Sequence, residues 1–116
     1  MANTPLGSLK DLTAIMTQLA GTIDARIGGD PKTSYTAKLL AKGSLHCGKK
    51  IAEEGAELAL ALAALGREET ASEAADLLYH VLVGLRLKGV SLDDVASALA
   101  KRKGVSGIAE KEGRKS

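Results

Sequence analysis

Aromatic side chains are almost missing: there is no tryptophan and no phenylalanine, and tyrosine occurs only at Tyr35 and Tyr79. Few rings are left on which unpaired nucleic-acid bases could stack in succession. A core drawn from Ala, Leu, Val and Ile also has small side chains, so helices must approach closely and each buries a modest area. Cysteine occurs once, at Cys47, which excludes an intrachain disulfide and suits a reducing compartment. The default role of such a thiol is structural. No run approaches the roughly 20 uninterrupted apolar residues of a membrane span. Met1 to Lys10 lacks a basic segment followed by an apolar one, so the expected location is the cytoplasm. The formal net charge is only +2 and the lysines are spread along the chain, so no nucleic-acid partner is expected.

What is present is ordinary for a folded protein: 45% hydrophobic and 26% charged residues in a chain of 116. That length suits one domain over 1–116, with flexible ends at 1–8 and 107–116. Ser8 with Asp11 reads as a capping pair for a first amphipathic helix through Leu9, Leu12, Ile15, Met16, Leu19, Ile23 and Ile27. Gly28, Gly29, Asp30 and Pro31 break it. Ser34 caps a short second helix ending near Gly43, and Ser44 opens a long third one to about Leu65, with Gly66 as its left-handed stop. A fourth runs from about Glu68 to Gly89, and Ser91 with Asp94 caps a fifth ending near Gly104. No segment alternates with period two in β-formers, and no internal repeat is visible, so the fold class is all-α with about five helices.

The third and fourth helices are apolar on more than one face. Ile51, Leu58, Leu62 and Leu65 form one stripe of the third, with Leu60 opposite. On the fourth, Ala74, Leu77, Leu78, Val81, Leu82 and Leu85 form the main stripe, with Val83 and Leu87 as a second. Helices of this kind are buried on several sides. The expectation is therefore a homodimer whose intertwined central bundle takes both long helices from each chain. Gly48 and Gly55, each costing roughly 1 kcal/mol relative to Ala inside a helix, read as close-packing points.

The chemistry-bearing feature is acidic. Glu53, Glu54 and Glu57 stand on the third helix and Glu73 and Asp76 on the fourth, and residues three apart share a helix face. A single Glu-x-x-Glu is commonly a solvated face. Two such pairs beside apolar stripes, on helices joined by a short turn, can instead gather four carboxylates around one point. Their repulsion would need a cation, and an all-oxygen cage suits Mg²⁺ or Mn²⁺ rather than zinc. Lys38, Lys50 and Arg26 are candidates for phosphate contacts, each with the alternative of a solvated cation. His80, four residues after Asp76, could touch substrate or be a hydrogen-bonded structural histidine. Tyr35 and Tyr79 are the only aromatic candidates for an adenine contact, or else packing residues.

The string Glu53-Glu54-x-x-Glu57 followed by Glu73-x-x-Asp76 resembles the signature of the MazG-like all-α nucleotide pyrophosphohydrolases. The surrounding segments Ser34–Leu40, Ala75–His80, Gly89–Val95 and Ser106–Lys111 are similar to one family within it, the phosphoribosyl-ATP pyrophosphohydrolases. The likeness runs from about Leu9 to Lys115. It implies Glu54, Glu57, Glu73 and Asp76 as metal ligands, and Glu53 as a further acid that holds a second metal or orients the attacking water. It also implies Mg²⁺-dependent hydrolysis of phosphoribosyl-ATP, between its α and β phosphates, to phosphoribosyl-AMP and pyrophosphate within histidine biosynthesis. Three other readings stand beside it: a house-cleaning pyrophosphatase of dCTP, dUTP or a damaged nucleotide, a non-catalytic helical dimerisation module, and a nucleic-acid-binding helical protein. The compact acidic group argues against the last.

Overall fold

The structure, a computed structural model, describes residues 6–7 and 10–103. Within them the chain is five α-helices and no strand: α1 Lys10–Ala25, α2 Tyr35–Lys42, α3 Ser44–Ala64, α4 Arg67–Lys88 and α5 Leu92–Ala100. The expected Ser8 cap, the stop near Gly104 and nearly all of the expected flexible ends lie outside the described residues. No described helix is long and apolar enough to cross a membrane.

Local chemistry sets most of these boundaries. Asp30 organises the turn after α1, its Oδ1 accepting from the Lys32 N–H at 2.9 Å and its carbonyl from the Ser34 N–H at 3.1 Å. The Ser34 hydroxyl then accepts from the Ala37 N–H at 3.1 Å and starts α2. At α5, Ser91 Oγ accepts from the Asp94 N–H while Asp94 Oδ2 accepts from the Ser91 N–H, both at 3.0 Å. α4 carries Glu68 and Glu69 in its first turn and Arg86 and Lys88 in its last, the charge order its dipole favours. It stops at Gly89, whose φ of 75° is left-handed.

Gly66 differs from expectation. Its φ of −86° is not left-handed: α3 ends with Leu65 extended, and Gly66 is the N-cap of α4. Its N–H donates to Glu69 Oε2 at 3.1 Å, so the glycine begins one helix instead of ending the other. This two-residue connection folds α3 back along α4. Thr70 Oγ1 donates to the Ala61 carbonyl near the turn, and Cys47 Sγ donates to the His80 carbonyl far from it, the register of an antiparallel pair.

The core is Ile23, Leu39, Cys47, Leu82 and Val83, with Met16, Leu19, Leu40, Ile51, Tyr79, Leu87 and Leu92 packed against it. Val83, assigned by the helical wheel to a second stripe, is fully buried, while Leu78 of the expected main stripe is 37% exposed. α1 and α2 lie over the His80–Val83–Leu87 side of α4, which makes it the inner face of the chain. Gly48 and Gly55 are not close-packing points among the described residues, since a Cβ at either would meet nothing within 4 Å. The close approach is at Gly84, where a Cβ would lie 3.3 Å from Ile51 Cδ1 and 3.5 Å from Cys47 Sγ. An exposed Arg86–Asp24 ion pair at 2.7 Å ties α1 to α4.

Candidate active site

Folding α3 against α4 brings acids from both arms together. Glu54, Glu57 and Glu73 each offer a carboxylate oxygen, and these oxygens lie within 4.8 Å of one another. Asp76 is not within that trio, yet its charge is felt by both Glu54 and Glu73. Glu54 and Glu73 are half-buried, and Oε2 of each is inaccessible with no hydrogen-bond partner in the protein. Burial, then the charge of Glu57, pushes the Glu54 carboxyl above its ordinary range, and His80 pulls the other way. Glu73 is raised by burial, then by its hydrogen-bonding closeness to Glu57 and the charges of Glu57 and Asp76.

Buried carboxylate oxygens without protein donors are costly unless something cationic meets them. The donors are all hard oxygens on rigid helices, so the residues fit a Mg²⁺-type ion, with Glu54, Glu57 and Glu73 as the group that could hold it and Asp76 beside them. Glu53 lies outside the trio: its Oε2 is 3.5 Å from Lys50 Nζ, one turn earlier on α3. Lys50 has its affinity for the proton raised first by Tyr35, then by Glu53. The Lys50 ammonium is thus paired with Glu53, one helical turn before Glu54 on α3.

The remaining candidates separate. Tyr35 is 51% exposed, and its hydroxyl is 3.1 Å from His80 Nε2. His80 is only 5% exposed, with Nδ1 2.8 Å from the Asp76 carbonyl. Both its ring nitrogens are engaged within the protein, as in the structural alternative and not as in a free substrate contact. Tyr79 is half-buried and hydrogen-bonded through its hydroxyl to Thr36 Oγ1. The Tyr35 and Tyr79 rings are stacked with centroids 6.3 Å apart, and Tyr79 meets the His80 ring edge-on at 5.2 Å. Lys38 and Arg26 are exposed and make no ion pair among the described residues. Neither is drawn into the acidic group.

Two features escaped the sequence reading. One is the contact of Tyr35 and Thr36 with His80 and Tyr79, which joins residues more than 40 positions apart and leaves no local signal. The other is a basic face beside Lys50. Burial and then the charges of Lys42, Lys50 and Lys49 lower the proton affinity of His46. The spacing of His46, Lys49 and Lys50 on one helix was a signal that could have revealed it.

Fold and site together define an all-helical protein built on a hairpin whose two arms share an acidic cluster. The profile of the family described as phosphoribosyl-ATP pyrophosphohydrolase matches residues 16–103. A phosphoribosyl-ATP pyrophosphatase of Caulobacter vibrioides is 52% identical over 103 residues, which is 89% of this chain and 95% of the relative. One of Cereibacter sphaeroides is 49% identical over 100 residues, covering 86% of this chain and 97% of the relative. A histidine biosynthesis bifunctional protein of Wolinella succinogenes is 50% identical over 104 residues, and there the match spans 90% of this chain but 45% of the relative. The chain belongs to the phosphoribosyl-ATP pyrophosphohydrolase family.

Proposed function

We propose that this chain hydrolyses phosphoribosyl-ATP to phosphoribosyl-AMP and pyrophosphate, cutting between the α and β phosphates, as a step of histidine biosynthesis. The reading rests on family membership, and the observation that carries the chemistry is the convergence of Glu54, Glu57 and Glu73 to within 4.8 Å across two helices. Mg²⁺, with Mn²⁺ as a substitute, is the proposed cofactor, and Asp76 completes its proposed ligand set. When bound, such an ion neutralises phosphate charge and acidifies water. The chain's own residues do the rest. The acids stand on rigid helices, so their oxygens need no rearrangement to engage a bound triphosphate complex. Glu53, paired with Lys50 at 3.5 Å, is the proposed group to orient or deprotonate the attacking water, and Lys50 the proposed contact to phosphate oxygens.

The proposed working form is a cytoplasmic homodimer. Leu60 and Leu62, on opposite sides of α3, and Leu65 just after it are 66%, 70% and 56% exposed, leaving apolar surface of a central helix for a second copy to cover. Sedimentation at micromolar concentration should return twice the chain mass, and a monomer there would remove this part of the reading. The activity is tested by pyrophosphate release from phosphoribosyl-ATP with and without Mg²⁺, with dCTP and dUTP as comparison substrates. Loss of even an outer partner of a metal ligand typically costs about 10–100-fold, so Glu57→Gln should lose at least about 100-fold. Metal-independent turnover, or an unimpaired Glu57→Gln, would remove the ligand role.

A further inference from the structure

His80 is the only charged or polar residue buried as a whole among the described residues. Its hydrogen bonds fix its chemistry. The Asp76 carbonyl, 2.8 Å from Nδ1, can only accept, so Nδ1 carries the proton. In the neutral ring Nε2 is then a bare lone pair, and the Tyr35 hydroxyl at 3.1 Å must be the donor. Tyr79 packs against the ring edge-on, with centroids 5.2 Å apart. Tyr35 is the first residue of α2, half exposed, with its proton committed inward and its ring stacked on Tyr79 at 6.3 Å. A line of hydrogen bonds thus runs from the Asp76 carbonyl, through His80, to Tyr35 at the start of α2.

We propose that His80 is a positioning residue: locked as the Nδ1–H tautomer, it holds the Tyr35 hydroxyl and so fixes the half-exposed Tyr35 ring at the start of α2 for contact with substrate. The inference rests on the pyrophosphohydrolase reading for its kinetic consequence but not for its structural one. A neutral hydrogen bond of this kind contributes little to stability and more to alignment. Its loss should therefore appear in substrate capture, with KM rising and kcat nearly unchanged.

The test has a structural arm and a kinetic arm. Nitrogen-15 NMR of the wild-type protein should show His80 protonated at Nδ1 and bare at Nε2, the reverse of the tautomer favoured by free histidine. Tyr35→Phe should move the Nε2 resonance and leave Nδ1 in place. In kinetics, Tyr35→Phe should raise KM about three- to tenfold, the scale of one neutral hydrogen bond. His80→Leu should do the same, and the double variant should be no worse than either single one. His80→Gln, which keeps an acceptor near the Nε2 position, should restore KM to within about twofold of wild type. An Nε2–H tautomer, an Nε2 signal indifferent to Tyr35→Phe, or additive losses in the double variant overturns the proposal. Should wild type release no pyrophosphate at all, the enzymatic reading fails while the NMR arm still decides the positioning one.

Discussion

The two ends of the α3–α4 hairpin are built from the same helix type and do opposite things. At the open end Cys47, Ile51, Leu82 and Val83 meet Ile23 and Leu39 from α1 and α2, and the one buried polar ring there has both nitrogens engaged. At the turn end Glu54, Glu57 and Glu73 crowd together, and two of their oxygens are buried with no partner. The first end supplies the packing that holds the helices in register. The second spends part of that stability on like charges held close, an arrangement that makes sense where a cation is to be captured.

The contrast can be broken from either side. Leu39 is 1% exposed at the centre of the open end, so Leu39→Ala should lower the unfolding free energy by about 2–5 kcal/mol in urea titrations. A loss below about 1 kcal/mol, far under that range, would show that the core lies elsewhere. At the turn end the sign reverses. Glu54 and Glu73 have folded-state proton affinities above their unfolded ones, so their contribution is fully present below the unfolded carboxylate pKa and is lost as pH rises through the raised values. In chelator, Glu54→Gln should therefore melt above wild type, by a margin that grows from about pH 4, near the ordinary carboxylate value, towards neutrality. Saturating Mg²⁺ should invert the order. Equal melting of the two proteins at neutral pH in chelator would contradict the crowding. The smallest effect belongs to the turn itself. Thr70 Oγ1 lies 2.8 Å from the Gly66 carbonyl and 3.3 Å from that of Ala61. Thr70→Val should cost about 0.5–1.5 kcal/mol in the same titrations, with no change of pH dependence.

How much of this was legible in the sequence follows from the range of each force. Ser34, Ser91 with Asp94, and Gly89 announce helix ends because caps act within four residues, and those ends stand where expected. The acid pairs were readable as faces because helical spacing is fixed. That Glu73 falls beside Glu57, while Asp76 stays outside the trio, depends on how α3 slides along α4. Contacts such as Ile51 with Gly84 set that register, and no periodicity records them. Gly48 and Gly55 misled for the same reason: a wheel says which way a glycine faces, not whether anything faces it. Gly66 misled because a glycine between two helices can serve either, and Glu69 decides the matter by accepting its N–H. The inward commitment of His80 needed Tyr35, a partner 45 residues away, to be seen.

The most direct measurement is site-resolved paramagnetic broadening by Mn²⁺, which needs neither substrate nor turnover. Substoichiometric Mn²⁺ should selectively erase the amide signals around Glu54, Glu57 and Glu73, with Mg²⁺ competing and Glu57→Gln weakening the effect. Diffuse broadening over the surface, or a saturable centre away from these three residues, would contradict a cation held between the two arms of the hairpin.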